Sequence, residues 1–92
     1  MIGRTEMPTI SVFYGISILM FYADHAPPHF HARYGGKEAT IDIRQLKVMS
    51  GALPPRALAL TLDWAKLHQN ELLADWELCA SKQAPQSIAP LE

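Results

Sequence analysis

The segment Asp24 to His31, DHAPPHFH, contains three of the chain's four histidines, next to an acid and around two prolines. Imidazole and carboxylate groups are common ligands of zinc, iron, nickel and manganese. On a strand, His29 and His31 would project from the same face with their Cα atoms about 6 to 7 Å apart, a workable spacing for chelation. The prolines would stiffen the preceding loop and reduce the entropy lost when its side chains are held. The segment therefore predicts a ligand-binding site.

A β-hairpin is the element that would position these side chains. Two alternating runs flank Gly35-Gly36, a dipeptide typical of a tight turn. A turn at this dipeptide places His29 opposite Asp42 and Arg33 opposite Glu38. Because side chains alternate between faces, one face is predicted to lie in the core: Phe30, Ala32, Ala39, Ile41 and Ile43. The other face carries the polar side chains: His29, His31, Arg33, Glu38, Thr40 and Asp42.

The candidate metal ligands follow from this register. Asp42 faces His29 across the hairpin, and the loop can bring Asp24 and His25 back to the near edge of the strand. A divalent transition metal such as zinc is the predicted cofactor, and phosphate is the other ligand considered. The candidate ligands are Asp24, His25, His29, His31 and Asp42.

Two other interpretations of the histidines stay open. In a metal-independent ribonuclease, His31 and His29 would act as base and acid while Arg33 binds the phosphate. Alternatively, the polar face simply meets solvent, with cross-strand pairs each worth a few tenths of a kcal/mol. Spacing alone does not separate metal ligands from proton carriers, so the sequence leaves open whether the protein is an enzyme.

The fold class follows from hydrophobic periodicity. Apolar residues recur at every second position from Ile10 to Tyr22, which predicts two strands with a turn or bulge at Gly15. From Pro54-Pro55 onward, a polar stripe stays in phase and predicts one long helix of about 25 residues. A break near His68 to Asn70 is the alternative. The sequence predicts an α+β domain with a small antiparallel sheet of three to four strands, formed by two hairpins, packed against one long C-terminal helix.

The 92 residues fit a single domain. We expect a loose leader over 1–6, the domain over 7–80 and an irregular tail over 81–92, with Ile88 and Leu91 as possible docking points. A second apolar line on the helix indicates a dimer, a small protein partner or cover from the tail. That line consists of Leu60, Leu67 and Leu78.

Composition restricts the possible partners and compartment. The chain is 49% hydrophobic and 18% charged, with a formal net charge of −1, so it lacks the overall positive charge of a typical nucleic-acid binder. The apolar run from Ile10 to Ala23 is too short to cross a bilayer, and Glu6 offsets Arg4 before it. Cys79, the single cysteine, cannot form an internal disulfide. A cytoplasmic protein with no membrane association is the prediction.

Three stretches of the chain resemble the bacterial domain of unknown function 4160 family: MPTISVFYGISILMFYADHAPPHFHARYGG, IDI and GALPPRALALTLDWAKLHQNELLADWEL. The resemblance runs from Met7 to about Leu78, and the segments DHAPPHFHARYG, LPPRAL and DWAKLH are specific. Asp63 stands where the family more often has Glu, a change that keeps the charge. The family's own motif is matched position by position at Asp24, His25, Pro27, Pro28, His29, Phe30 and His31.

The resemblance implies a small bacterial cytoplasmic protein, belonging to a toxin–antitoxin-like or regulatory gene pair with another small protein. No established reaction accompanies the family. The predicted function is a small binding or regulatory module whose histidine face holds a divalent metal or a phosphate. A toxin-type ribonuclease and a purely structural interaction domain are the alternatives.

Overall fold

The structure, a computed structural model, describes residues 8–92 and has an α+β fold. Five strands form one antiparallel sheet in which each strand lies beside its neighbour in the sequence, and two helices follow. The elements are β1 (Thr9–Phe13), β2 (Ile16–Leu19), β3 (His29–Tyr34), β4 (Lys37–Asp42), β5 (Val48–Gly51), α1 (Pro55–Leu67) and α2 (Gln69–Ala80). The leader predicted for 1–6 lies outside the described residues.

The central hairpin, β3 and β4, has the predicted register. His29 pairs with Asp42 and Arg33 with Glu38, with the turn at Gly35-Gly36. All five residues predicted for the core face are at most 1% exposed: Phe30, Ala32, Ala39, Ile41 and Ile43. This hairpin is therefore a confirmed prediction at the level of individual pairs.

The first hairpin, formed by β1 and β2, has its turn at Gly15, as the sequence predicts. Tyr14 and Gly15 both have positive φ angles, 50° and 78°, as a two-residue type I′ turn requires. The alternation does not run through the hairpin in one phase, because the β1–β2 register shifts between Thr9 and Ser11. Val12 is consequently 56% exposed although it continues the same period of two as the buried Ile10.

The expectation of three to four strands is wrong, since the sheet has five strands within residues 8–92. The additional strand, β5, pairs with β4 at the edge of the sheet. All four of its residues are exposed. A strand with neither face buried has no apolar–polar alternation, so its sequence is indistinguishable from a turn region.

The prediction of a single long helix is also wrong. The helix breaks at His68, within the range from His68 to Asn70 given as the alternative. His68 has φ −120° and ψ 26°, outside helical geometry. Gln69 then donates hydrogen bonds from Nε2 to the carbonyl oxygens of Ile43, at 2.7 Å, and Arg44, at 3.0 Å. Neither glycine nor proline lies at the break, and these bonds join the start of α2 to the segment after β4. The break is therefore associated with tertiary contacts.

Both helices contribute to one core. Trp64 is fully buried, and its ring lies 5.2 Å from that of Phe13 and 6.0 Å from that of Phe30. Trp76 is 7% exposed, so both tryptophans pack in the core. No helix within residues 8–92 has the length and apolar character needed to cross a membrane.

The tail over 81–92 has neither helix nor strand but is docked. Ile88 is 4% exposed and its N–H donates to the Ile10 carbonyl oxygen at 2.9 Å. Trp64 Nε1 donates to the Ala89 carbonyl oxygen at 2.8 Å. Leu67 of the second apolar line is not covered by the tail, since it remains 71% exposed.

Candidate metal centre

Strand β3 and the loop before it bring together three of the candidate ligands. His29 and His31 project from the same face of β3, with ring centroids 5.4 Å apart. The loop is fixed at both ends: the Ala23 N–H donates to the Cys79 carbonyl oxygen, and the Ile43 N–H donates to the Pro28 carbonyl oxygen, each at 3.0 Å. Asp24, next to the first of these anchors, is thereby held against the histidines.

Asp24, His29 and His31 form what we call the Asp–His–His cluster. Asp24 Oδ2 lies 2.9 Å from His29 Nε2 and 3.8 Å from His31 Nε2. One ligand atom from each residue can be chosen so that all three lie within 4.8 Å of one another. His29 and His31 are only 7% and 9% exposed, so the cluster is more buried than a solvent-facing polar surface would be.

The contacts of His29 direct its Nε2 towards Asp24. Its Nδ1 lies 2.8 Å from the Pro27 carbonyl oxygen, which can only accept, so Nδ1 carries a proton and donates. Nε2 then faces the carboxylate of Asp24, which also only accepts in its ionised form. A metal ion bound at Nε2 would therefore lie beside the Asp24 carboxylate.

The contacts of His31 give the same orientation. Its Nδ1 lies 3.0 Å from Glu38 Oε2 and donates to that carboxylate. Its Nε2 is buried and has no hydrogen-bond partner among the described residues. A histidine that donates from one nitrogen to a carboxylate or carbonyl and presents the other to a cation has the arrangement usual for metal ligands.

The two carboxyl groups at the cluster are held in their charged forms. Burial raises the pKa of Asp24, but the hydrogen bond from the His25 N–H and the proximity of His29 more than offset this, leaving that pKa below its usual value. The pKa of Glu38 is lowered chiefly by its hydrogen bond from Arg33, with burial opposing and His31 adding to the shift. Two anions therefore flank the pair of imidazoles.

The other candidate residues lie outside the cluster. The His25 side chain is 97% exposed and its Nδ1 is 3.8 Å from Asp24 Oδ1. Asp42 faces His29 in the register, but its Oδ1 accepts the N–H groups of Arg44 and Gln45, both at 2.8 Å. Arg33, the predicted phosphate ligand, donates from Nε to Glu38 Oε1 at 2.7 Å.

Sequence reasoning overlooked the role of Glu38 and Phe21. The sequence predicts Glu38 on the polar face but not in the site, although it lies two positions from Thr40, the partner of His31, on the same face of β4. That diagonal position was the available signal. The rings of Phe21 and His31 pack nearly perpendicular to each other with their centroids 4.5 Å apart, and no sequence pattern predicts this contact.

A cleft of about 580 Å³ adjoins the cluster. Its lining includes all three cluster residues together with Phe21, Tyr22, Thr40, Met49 and Ser50. Three protein ligands do not complete the coordination shell of a transition metal. An ion held here would keep at least one position for water or a further ligand, and the cleft has room for a small molecule.

The fold and the cluster define a small α+β domain whose potential ligands lie on one hairpin and the loop before it. A comparison with known families matches residues 15–77 to the family described as Domain of unknown function (DUF4160). The match spans more than half of the chain and includes the whole cluster, so the protein belongs to this family. Comparisons with curated proteins and with solved structures found no match.

Proposed function

We propose that this protein is a binding module that holds one divalent transition metal ion, such as Zn²⁺, at the Asp–His–His cluster. The observation that supports the proposal most directly is the orientation of the two rings. Both Nδ1 atoms are within hydrogen-bonding distance of oxygen acceptors, while both Nε2 atoms lie within 4 Å of the same Asp24 oxygen. Two imidazoles and one carboxylate form a ligand set that zinc and iron both accept.

The charges at the cluster favour a cation over phosphate. Asp24 lies between the two Nε2 atoms, where its carboxylate would repel an anion. Arg33, the positive side chain nearest along β3, is already bonded to Glu38. The same contacts weaken the ribonuclease alternative, because that reaction needs a cation to stabilise the phosphate.

The incomplete ligand set suggests what the module does with its ion. A metal with an open position can bind a donor atom from another molecule, and here that position would adjoin a cleft lined by both apolar and hydroxyl-bearing side chains. We therefore propose that the ion forms part of a recognition site for a small molecule or for a side chain of a protein partner.

The test is the metal content of purified, untagged protein, measured by mass spectrometry after incubation with Zn²⁺ and removal of free ion. We expect about one ion per wild-type chain and loss of that ion in His31→Ala and Asp24→Asn. His25→Ala is the matched control, because His25 neighbours the cluster but is exposed, and this variant should keep its ion. Circular dichroism checks that each variant folds.

Two results would contradict the proposal. One is a wild-type protein that retains no metal after separate incubations with Zn²⁺, Fe²⁺, Ni²⁺ and Mn²⁺. The other is a folded Asp24→Asn protein that binds Zn²⁺ as tightly as the wild type, which would place the ligands elsewhere.

A further inference from the structure

A second cleft, of about 620 Å³, lies between α2 and the tail. None of the residues that line it belongs to the Asp–His–His cluster or to the cleft beside it. One wall comes from α2 and the other from the tail, which continues beyond the segment matched to the family. Its chemistry can therefore be considered independently of the metal centre.

Asp75 is the unusual residue in this cleft. It is 2% exposed, and its Oδ1 accepts the Gln86 N–H at 2.8 Å. Its Oδ2 is buried and has no hydrogen-bond partner among the described residues. A buried carboxylate oxygen without a donor is costly, because the oxygen has given up water without receiving a replacement. A hydrogen-bond donor that reached Asp75 Oδ2 would therefore be stabilising.

The surroundings of Asp75 indicate the charge of that donor. Glu71 and Glu77 also line the cleft, and no lysine or arginine within residues 8–92 does. Glu71 is partly engaged, since its Oε1 contacts His68 Nδ1. Three acids around an apolar cleft produce a negative potential that attracts a cation and disfavours an anion.

The apolar part of the lining indicates the shape of the cation. Leu78 of α2 and the buried Ile88 of the tail both contribute to the cleft. Side chains of this kind pack well against the methylene stem of an amine or guanidine whose charged end is bonded elsewhere. A charged N–H donor to a carboxylate also forms a stronger hydrogen bond than a neutral donor.

We propose that the cleft between α2 and the tail binds an organic cation, an alkylammonium or guanidinium group that donates to Asp75 Oδ2 while its stem packs on Leu78 and Ile88. The group could belong to a free amine or to an exposed lysine or arginine side chain of a peptide, since the recognition chemistry is the same. This proposal does not depend on metal binding.

The test is a titration of the full-length protein followed by ¹H–¹⁵N NMR, with putrescine and N-acetyl-arginine methylamide as separate probes. We expect saturable shifts of the Asp75 and Gln86 amide signals. Tighter binding of putrescine would identify a free amine as the natural class, and tighter binding of the arginine derivative would identify a peptide side chain. Absence of saturable shifts with both probes would overturn the proposal.

Variants show whether binding involves Asp75. Asp75→Asn keeps an oxygen to accept the Gln86 N–H but removes the charge, so the dissociation constant should rise at least about tenfold. Asp63→Asn, at an exposed acid of α1 outside the cleft, should bind like the wild type.

Glu77→Gln supplies a second variant, because Glu77 is exposed and its replacement does not threaten the fold. We expect a smaller loss of affinity, about twofold, from the weaker potential in the cleft. Equal affinity of the wild type, Asp75→Asn and Glu77→Gln would overturn the proposal.

Discussion

Each histidine of the Asp–His–His cluster can bind a metal ion through Nε2 because another group is bonded to its Nδ1. An imidazole offers a lone pair to a metal only at the nitrogen that is not already donating. Pro27 and Glu38 occupy the Nδ1 positions of His29 and His31, so both lone pairs can point towards Asp24. The Nε2 atoms of both rings thus lie near Asp24, while the contacts at Nδ1 fix the orientations of the rings.

Glu38→Gln tests this at the residue scale. The replacement can still accept the His31 Nδ1–H but lacks the charge that makes the imidazole a better ligand, so the affinity for Zn²⁺ should fall about 10- to 100-fold. Isothermal titration calorimetry measures the change. Glu71→Gln is the matched control, because Glu71 pairs with His68 rather than with the cluster. Unchanged affinity of Glu38→Gln for Zn²⁺ would show that Glu38 does not contribute to the metal site.

At the scale of the elements, the edge strand β5 packs against Glu38, the residue that accepts the hydrogen bond from His31. Gly51 ends β5 with φ +74°, and a Cβ at this position would overlap the carbonyl oxygen of Glu38. The close approach therefore needs glycine for both its backbone conformation and its missing side chain. β5 carries no buried residue, and this close contact with β4 is its most distinctive structural feature.

Gly51→Ala should lower the free energy of unfolding by at least about 1 kcal/mol, because the alanine is strained in its backbone and collides with Glu38. Urea denaturation measures the effect. Gly36→Ala is the control: nothing lies within 4 Å of a Cβ there, so stability should be unchanged or slightly higher. Equal stabilities of the two variants would show that β5 can move away from β4 at little cost.

At the scale of the whole molecule, the tail is joined to the sheet and to both helices. Ile88 bonds to β1, Ala89 to Trp64 of α1, and Gln86 to Asp75 of α2. Burial raises the pKa of Asp75, the Gln86 N–H opposes that shift, and the charge of Glu71 adds to it. An ionised acid in this position opposes folding, so the docking of the tail should be sensitive to pH.

The sign of the effect follows from proton binding. The folded protein holds the Asp75 proton more tightly than the unfolded chain, so the contribution of Asp75 to the free energy of unfolding should decrease as pH rises from about 4 through the raised pKa. Above that pKa the contribution becomes constant. Asp75→Asn removes this contribution, and its stability should fall less over the same interval. Urea denaturation of both proteins at a series of acidic pH values gives the comparison, and parallel curves would refute the assignment to Asp75.

The parts of the fold that were predictable are those encoded by neighbouring residues. Two runs with a period of two around Gly35-Gly36 define the β3–β4 pairs, because a shift of one residue would exchange the buried and polar faces. The helix break and β5 were not predictable in this way. The break coincides with bonds from Gln69 to carbonyl oxygens more than twenty residues earlier, and β5 has no buried face to pattern its sequence.

For the candidate site, the sequence by itself determined the residue types and placed His29 and His31 on one face of a strand. It named five possible metal ligands without ranking them. Only the tertiary structure brought Asp24 to the two histidines, left His25 exposed and turned Asp42 towards backbone N–H groups. The reason is that strand alternation is a local property, whereas the approach of a loop and the direction of an imidazole lone pair depend on hydrogen bonds to other parts of the chain.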